Sequence, residues 1–220
     1  MNNPELLGVL LVGLLLMCVI VSMQMKAYQI PRWKSVIIAS VLLLTGVYGS
    51  RIWYYIENGA FTGRSFYGAI FLSPAVFFIV SKLLNIPYGY ALDFVAPSGC
   101  LTLAMVKIQC MRDGCCAGKV LYVDENYHYV KFPSQIVEML AFLIIAYVLF
   151  KFSKNEKKRG MLFPWFMVFY GASRFVLDFF RGGTVTYLIG LTAGSFWSLV
   201  AFLIGSLILI LRRWSERSNE

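Results

Sequence analysis

The chain has 220 residues, of which 59% are hydrophobic and 14% charged, against roughly 25% charged in ordinary soluble domains. That balance excludes a soluble globular protein and points to an integral membrane protein. The formal charge of +9 then reads as membrane topology rather than as a nucleic-acid surface. In chain order, about seven stretches reach the roughly 20 apolar residues that a bilayer core demands, near 6–25, 35–56, 65–84, 89–107, 133–152, 161–180 and 188–211. The expected fold is an all-α, polytopic membrane protein. The first stretch lacks a basic leader and a small-x-small cleavage site, so it reads as a retained helix. No linker or repeat divides the chain, which gives one expected domain over 1–220.

Basic residues set the expected orientation. With the N-terminus outside, Lys26, Arg32, Lys34, Lys82, Lys151, Lys154, Lys157, Lys158, Arg159, Arg212, Arg213 and Arg217 all fall in the cytoplasm, as the positive-inside rule requires. Only Arg64, Lys119, Lys131 and Arg181 remain near the other ends. The basic run at 151–159 is then an anchor for anionic lipid heads. The one sizeable hydrophilic insertion, 119–131, lies on the outer side and holds the sole histidine, His128, which reads as a solvated residue.

Five cysteines stand at 18, 100, 110, 115 and 116. Their spacing lacks the paired C-x2-C or Cys/His pattern of zinc sites, so no metal and no cofactor is expected. Cys18 and Cys100 lie inside spans, where cysteine behaves as a small hydrophobe. A disulfide from Cys110 to one of the vicinal pair is compatible with an oxidising outer face.

Polar residues inside apolar spans mark the candidate site, because each charge at bilayer depth costs at least about 2.5 kcal/mol unless it meets a partner or a polar ligand. Tyr170, Arg174, Asp178 and Arg181 share one face of the sixth span at helical spacing. A second concentration runs through Lys107, Gln109, Arg112, Asp113, Gly114 and Gly118. There the glycines permit a broken helix or a close backbone approach. Lys107, Arg112, Arg174 and Arg181 would give a pocket several cationic donors, and the abundant anion at that depth is a phospholipid phosphate. Pro133 and Ser134 mark a helix start, with Gln135 and Glu138 in its first turns. Glu138 suits either the helix dipole or an arginine partner. Arg51 fits either a snorkelling end to the second helix or a ligand contact, and Asp93 reads as a cap on the fourth helix.

These segments, in this order, resemble the bacterial prolipoprotein diacylglyceryl transferase family. The stretch Gly46 to Ile52 around Arg51 is similar to the family's glycine-arginine segment. Ser65-Phe66-Tyr67-Gly68-Ala69 is similar to its Ser-Phe-His-Gly-Gly element, and Asp93-Phe-Val-Ala-Pro97 to its Asp-Phe-Ile-Ala-Pro. Lys107 to Lys119 occupies the place of its glycine-rich signature. Phe132 to Gln135 with Glu138 matches His-Pro-Ser-Gln-Leu-Tyr-Glu, and Tyr170 to Arg181 matches Tyr-Gly-x-x-Arg-x-x-x-Glu-Phe-x-Arg.

The resemblance implies transfer of a diacylglyceryl group from phosphatidylglycerol to a cysteine thiol, with glycerol phosphate leaving, in the bacterial plasma membrane. Arg174, Tyr170, Tyr67 and Lys107 take the implied catalytic positions. Arg51, Arg112, Asp113, Gly114, Gly118, Gln135, Glu138, Asp178 and Arg181 take the substrate-binding ones. The implied partners are phosphatidylglycerol or another anionic phospholipid and a thiol-bearing acceptor such as a lipoprotein precursor. Several positions depart from the family pattern. Tyr67 stands where the family has histidine, Lys107 where it has arginine, and Cys110 and Cys115 replace its signature Asn and Glu. The segment 119–131 is a reduced form of an extracytoplasmic head. Two other readings stay open on the residues alone: a non-catalytic phospholipid-binding protein of the same fold, and a thiol-redox protein using Cys110, Cys115 and Cys116.

Overall fold

The computed structural model describes residues 4–60, 63, 65–112, 114, 116–123, 129–182, 186–188, 190 and 191–218. Asp113, Cys115, His128 and Arg64 lie outside the described residues, as does the middle of the 119–131 insertion. Among the described residues, seven α-helices follow one another: α1 (Pro4–Ala27), α2 (Lys34–Asn58), α3 (Tyr67–Leu84), α4 (Tyr88–Arg112), α5 (Ser134–Ser153), α6 (Leu162–Asp178) and α7 (Ala193–Arg217). Two short hairpins interrupt them. Strands β1 (Val120–Val123) and β2 (Tyr129–Lys131) separate α4 from α5, and β3 (Thr186–Leu188) and β4 (Leu191–Thr192) separate α6 from α7. The expected all-α polytopic membrane fold is the one observed.

Helices α2, α3, α4, α5 and α7 are long and apolar enough to cross a membrane, and the described apolar part of α1 runs over Val12–Ala27. Helix α6 has 17 residues, about 25 Å at 1.5 Å per residue, and it carries Arg174 and Asp178. Large apolar side chains such as Leu15, Ile79, Ile144 and Leu207 stand exposed along the helices, as a surface solvated by lipid tails requires.

Element ends differ from the sequence expectation at three places. The fourth helix continues past Lys107 to Arg112, which puts Lys107 inside a helix rather than at its end. The sixth stops at Asp178. The seventh begins at Ala193 instead of near 188, because the Thr192 side chain accepts a hydrogen bond from the Ser195 N–H at 3.0 Å and so caps the helix there. The preceding residues are in the β3–β4 hairpin.

Backbone contacts gather into two compact units, one formed by residues 1–99 and 149–163, the other by 100–148 and 164–220. The first unit packs Val21, Met25, Ile38, Ile70, Phe77 and Phe94 at its centre. Helices α2 and α3 cross at Gly49 and Gly68, where the Ser65 N–H donates to the Ser50 carbonyl at 2.9 Å. Asp93, expected to cap its own helix, does otherwise. It lies one turn into α4, fully buried, and accepts from the Tyr28 hydroxyl at 2.7 Å, from the Leu162 N–H at 2.8 Å and from the Gly160 N–H. It therefore caps α6, whose first N–H groups have no partner within their own helix. Burial first, and then the Asp93 charge, pushes the Tyr28 hydroxyl's pKa far up, so this hydroxyl remains a donor. The Arg159 guanidinium lies 5.0 Å from the Tyr28 ring centre.

Asp93→Ala should leave three donors, two of them buried, without an acceptor. At about 1–3 kcal/mol for each unsatisfied group, it is expected to destabilise the protein by about 3 kcal/mol or more. Unfolding of the purified variant in detergent checks this, and a loss under about 1 kcal/mol would show that the cap contributes little.

Candidate functional site

The second unit holds a buried ion cluster assembled from three helices and one loop. Lys107 comes from the last turns of α4, Glu138 from the second turn of α5, Arg174 and Asp178 from the end of α6, and Arg181 from the residues just beyond it. Glu138 is its hub, with a side chain 1% exposed. Its Oε1 accepts from Arg174 Nη1 at 2.6 Å and lies 3.9 Å from Arg181 Nε, and its Oε2 is ion-paired with Lys107. Asp178 is the second anion. Its Oδ1 lies 3.3 Å from Arg174 Nη2 and 3.8 Å from Arg181 Nη1. Its Oδ2 accepts from Ser195 Oγ at 2.8 Å and from Thr192 Oγ1.

Among the described residues, three cations thus face two carboxylates, an excess of one positive charge in a low-dielectric setting where each charge acts strongly. The pairing explains why five charges are tolerated at this depth, since buried charges persist when they are paired and hydrogen-bonded. It also leaves capacity unused. Arg181 Nε has no hydrogen-bond acceptor among the described residues, and the Arg181 side chain, 21% exposed, is the most open of the three cations.

Local sequence explains how each side chain arrives there. Ser134 opens α5 directly after Pro133, and its hydroxyl donates to the Cys116 carbonyl at 2.6 Å. That bond ties the start of α5, and with it Glu138, to the chain leaving α4. The 117–119 stretch is threaded between two neighbours. Gly118 N–H donates to the Phe132 carbonyl at 3.2 Å, Lys119 N–H to Phe180 at 2.9 Å, and Gly182 N–H to Ala117 at 3.2 Å. A side chain at Gly118 would strike the Phe132 carbonyl, so this glycine serves the close backbone approach and not a break in a helix. Its bridge to Arg181 fixes where Arg181 begins. Tyr170 is buried and stacks on Phe142 at 5.8 Å between ring centres.

Of the residues singled out from sequence, the structure brings Lys107, Glu138, Arg174, Asp178 and Arg181 into one cluster. Gly118 supports it through backbone contacts, and Gln135 is half-buried one turn before Glu138 on α5. Arg112 is exposed at the end of α4 and makes none of the cluster's ion pairs among the described residues. Gly114 is exposed with φ at +64°. Asp113 lies outside the described residues. Arg51 and Tyr67 belong to the first unit, on either side of the α2–α3 crossing. There Tyr67 is buried and lies stacked 6.4 Å from Phe71, while Arg51 is half-buried. Cys18 and Cys100 are thiols, and Cys110 is not bridged to Cys116.

Thr192 and Ser195 escaped the sequence reading. The signal was present as Thr-x-x-Ser at a helix start, but it lay inside a stretch assigned to the seventh span.

An apolar groove of about 470 Å³ runs between α5 and α6 in the same unit, lined by Ala141, Ile144, Ile145, Val148, Phe169 and Ser173 among others. Ala141 follows Glu138 by less than one turn, and Ser173 adjoins Arg174 in the chain.

The family model described as prolipoprotein diacylglyceryl transferase matches residues 8–211 of this chain. Among curated proteins, a phosphatidylglycerol–prolipoprotein diacylglyceryl transferase of Clostridium tetani is 27% identical over 167 residues, covering 70% of this chain and 66% of the relative. The protein of the same name from Ehrlichia ruminantium (strain Welgevonden) is 28% identical over 169 residues, covering 70% and 65%. That from Dehalococcoides mccartyi (strain CBDB1) is 23% identical over 182 residues, covering 76% and 70%. The chain thus spans slightly under two thirds of the length of the first two relatives.

Proposed function

This chain belongs to the prolipoprotein diacylglyceryl transferase family, and from that premise we propose that it moves a diacylglyceryl group from phosphatidylglycerol to a cysteine thiol. The acceptor is a lipoprotein precursor or another thiol-bearing molecule. The reaction takes place at the outer face of a bacterial plasma membrane, with the N-terminus outside and the C-terminus in the cytoplasm, and residues 1–220 work as one functional domain.

The observation that carries this reading is the cluster of Lys107, Arg174 and Arg181 around Glu138 and Asp178, with its excess positive charge and the unused Arg181 Nε donor. A phosphodiester is a single anion rich in acceptor oxygens, and it matches that excess. In the reaction, the thiol sheds its proton to water and its sulfur attacks the glycerol carbon. The carbon–sulfur bond forms as the carbon–oxygen bond to phosphate breaks, and glycerol phosphate departs with the electron pair. Negative charge grows on the leaving phosphate, so fixed guanidinium and ammonium donors lower the barrier. Arg181 and Lys107 hold the phosphate, and Arg174, locked between two carboxylates, sets the field. The apolar groove beside α5 and α6 suits an acyl chain. Arg112, Asp113, Gly114, Gly118 and Gln135 support the substrates, and Tyr170 supplies a hydroxyl to the reacting groups.

The test is incubation of purified protein with phosphatidylglycerol and a lipobox peptide, following glycerol phosphate release and peptide mass. Release together with a peptide heavier by one diacylglyceryl group is the expected result. Bound lipid with neither product would overturn the transfer and leave a non-catalytic lipid-binding protein. The substitution of Lys107, Cys110 and Cys115 in the signature is the observation that favours this second reading.

A further inference from the structure

Asp178 divides its two oxygens between two different jobs. Oδ2 is taken by hydroxyls at the start of α7, from Ser195 at 2.8 Å and from Thr192. Oδ1 faces Arg174 and Arg181 at 3.3 and 3.8 Å. The Thr192 hydroxyl works in both directions, since it accepts from the Ser195 N–H at 3.0 Å while donating to Asp178, as one donor hydrogen and two lone pairs allow. Gly194 lies against the same carboxylate, and a Cβ there would come within 2.9 Å of Oδ1. The carboxylate therefore lies at the N-terminal, positive end of the α7 dipole. The distances to the guanidiniums are made by the other oxygen, Oδ1.

That restraint matters because Arg181 follows Asp178 by three residues, just past the end of α6, with its Nη1 3.8 Å from Oδ1. At that spacing an unrestrained carboxylate can turn both oxygens onto an arginine and form the bidentate pair that arginine favours. Such a pair would use the donor capacity that a phosphate needs.

We propose that Thr192 and Ser195 are positioning residues: by engaging one oxygen of Asp178 they keep Arg181 only partly paired and so available to the lipid phosphate. This rests on the transferase reading above, and it assigns a role in lipid capture to the first turn of α7.

The test compares Ser195→Ala, Thr192→Val and the conservative Thr192→Ser with the parent protein. KM for phosphatidylglycerol and kcat are measured in mixed micelles, and Kd for phosphatidylglycerol in neutral phosphatidylcholine nanodiscs. Hydrogen bonds to charged groups have energies that translate to about tenfold in an equilibrium constant. Ser195→Ala and Thr192→Val should therefore raise both KM and Kd about tenfold, with a smaller change in kcat, and Thr192→Ser should restore parental values. A merely structural role would lower the yield of folded protein and the apparent kcat while KM and Kd stay put, and that result overturns the proposal. So does a Thr192→Ser variant as impaired as Thr192→Val. A parent protein that binds phosphatidylglycerol but transfers nothing would defeat the transferase reading alone, since the Kd comparison still decides the positioning role.

Discussion

Replacing Glu138 by alanine should cost the protein about 3–5 kcal/mol of stability, the usual penalty for breaking a buried ion pair by removing one partner, and should lower diacylglyceryl transfer at least about a hundredfold. The reason is the arrangement of charge. Lys107, Arg174 and Arg181 all approach this one carboxylate, and without it three cations face each other with Asp178 as the remaining anion. Glu138→Gln separates the two effects. It keeps the side chain's shape and one acceptor oxygen for Arg174, so it should recover part of the stability, yet it removes the charge that fixes the cations, so transfer should stay low. Unfolding in detergent and initial rates of glycerol phosphate release check both statements. A Glu138→Ala protein within about 1 kcal/mol of the parent would show that the cluster is not what holds these helices' polar faces together.

Arg174→Ala should abolish transfer, by about 10²–10³-fold or more as judged from the loss of one preorganised donor at a site of developing charge. Membrane insertion should remain intact, because the substitution makes α6 more apolar. Arg174→Lys should recover little. The guanidinium spans two carboxylates at once, with Nη1 on Glu138 at 2.6 Å and Nη2 toward Asp178 at 3.3 Å. An ammonium is a single point charge and cannot reproduce that planar fork. Undiminished turnover in Arg174→Ala, with the protein correctly inserted, would remove this residue from the site.

Much of this was legible in the sequence, and for identifiable reasons. Membrane helices announce themselves by long apolar runs, so the seven elements appeared nearly in place. The spacing of Tyr170, Arg174 and Asp178 sets a common face because helical periodicity is local, whereas Arg181, expected on that face, lies past the end of α6 and reaches the cluster from the following loop. What periodicity cannot report is which face meets which. Glu138 looked equally suited to its own helix dipole or to an arginine, and only packing showed that it gathers three cations. Arg112 carries the same charge as Lys107 and sits five residues away, yet that rotation leaves it exposed. Asp93 was expected to cap the helix it belongs to, whereas it caps α6, some seventy residues further along the chain. Thr192 was hidden by the apolar residues around it, since a hydropathy window sees a continuous span where the capping hydroxyl actually starts a new element.

The bond between Asp178 and Thr192 has a consequence for how such a protein can change. Its two ends are fourteen positions apart, so the intervening chain is a closed bight that leaves the ion cluster and comes back to it. The cost of closing a flexible loop grows slowly, by about 0.6 kcal/mol for each doubling of length. By that measure, a change in length between Arg181 and Thr192 costs little closure entropy while the Asp178–Thr192 bond is kept.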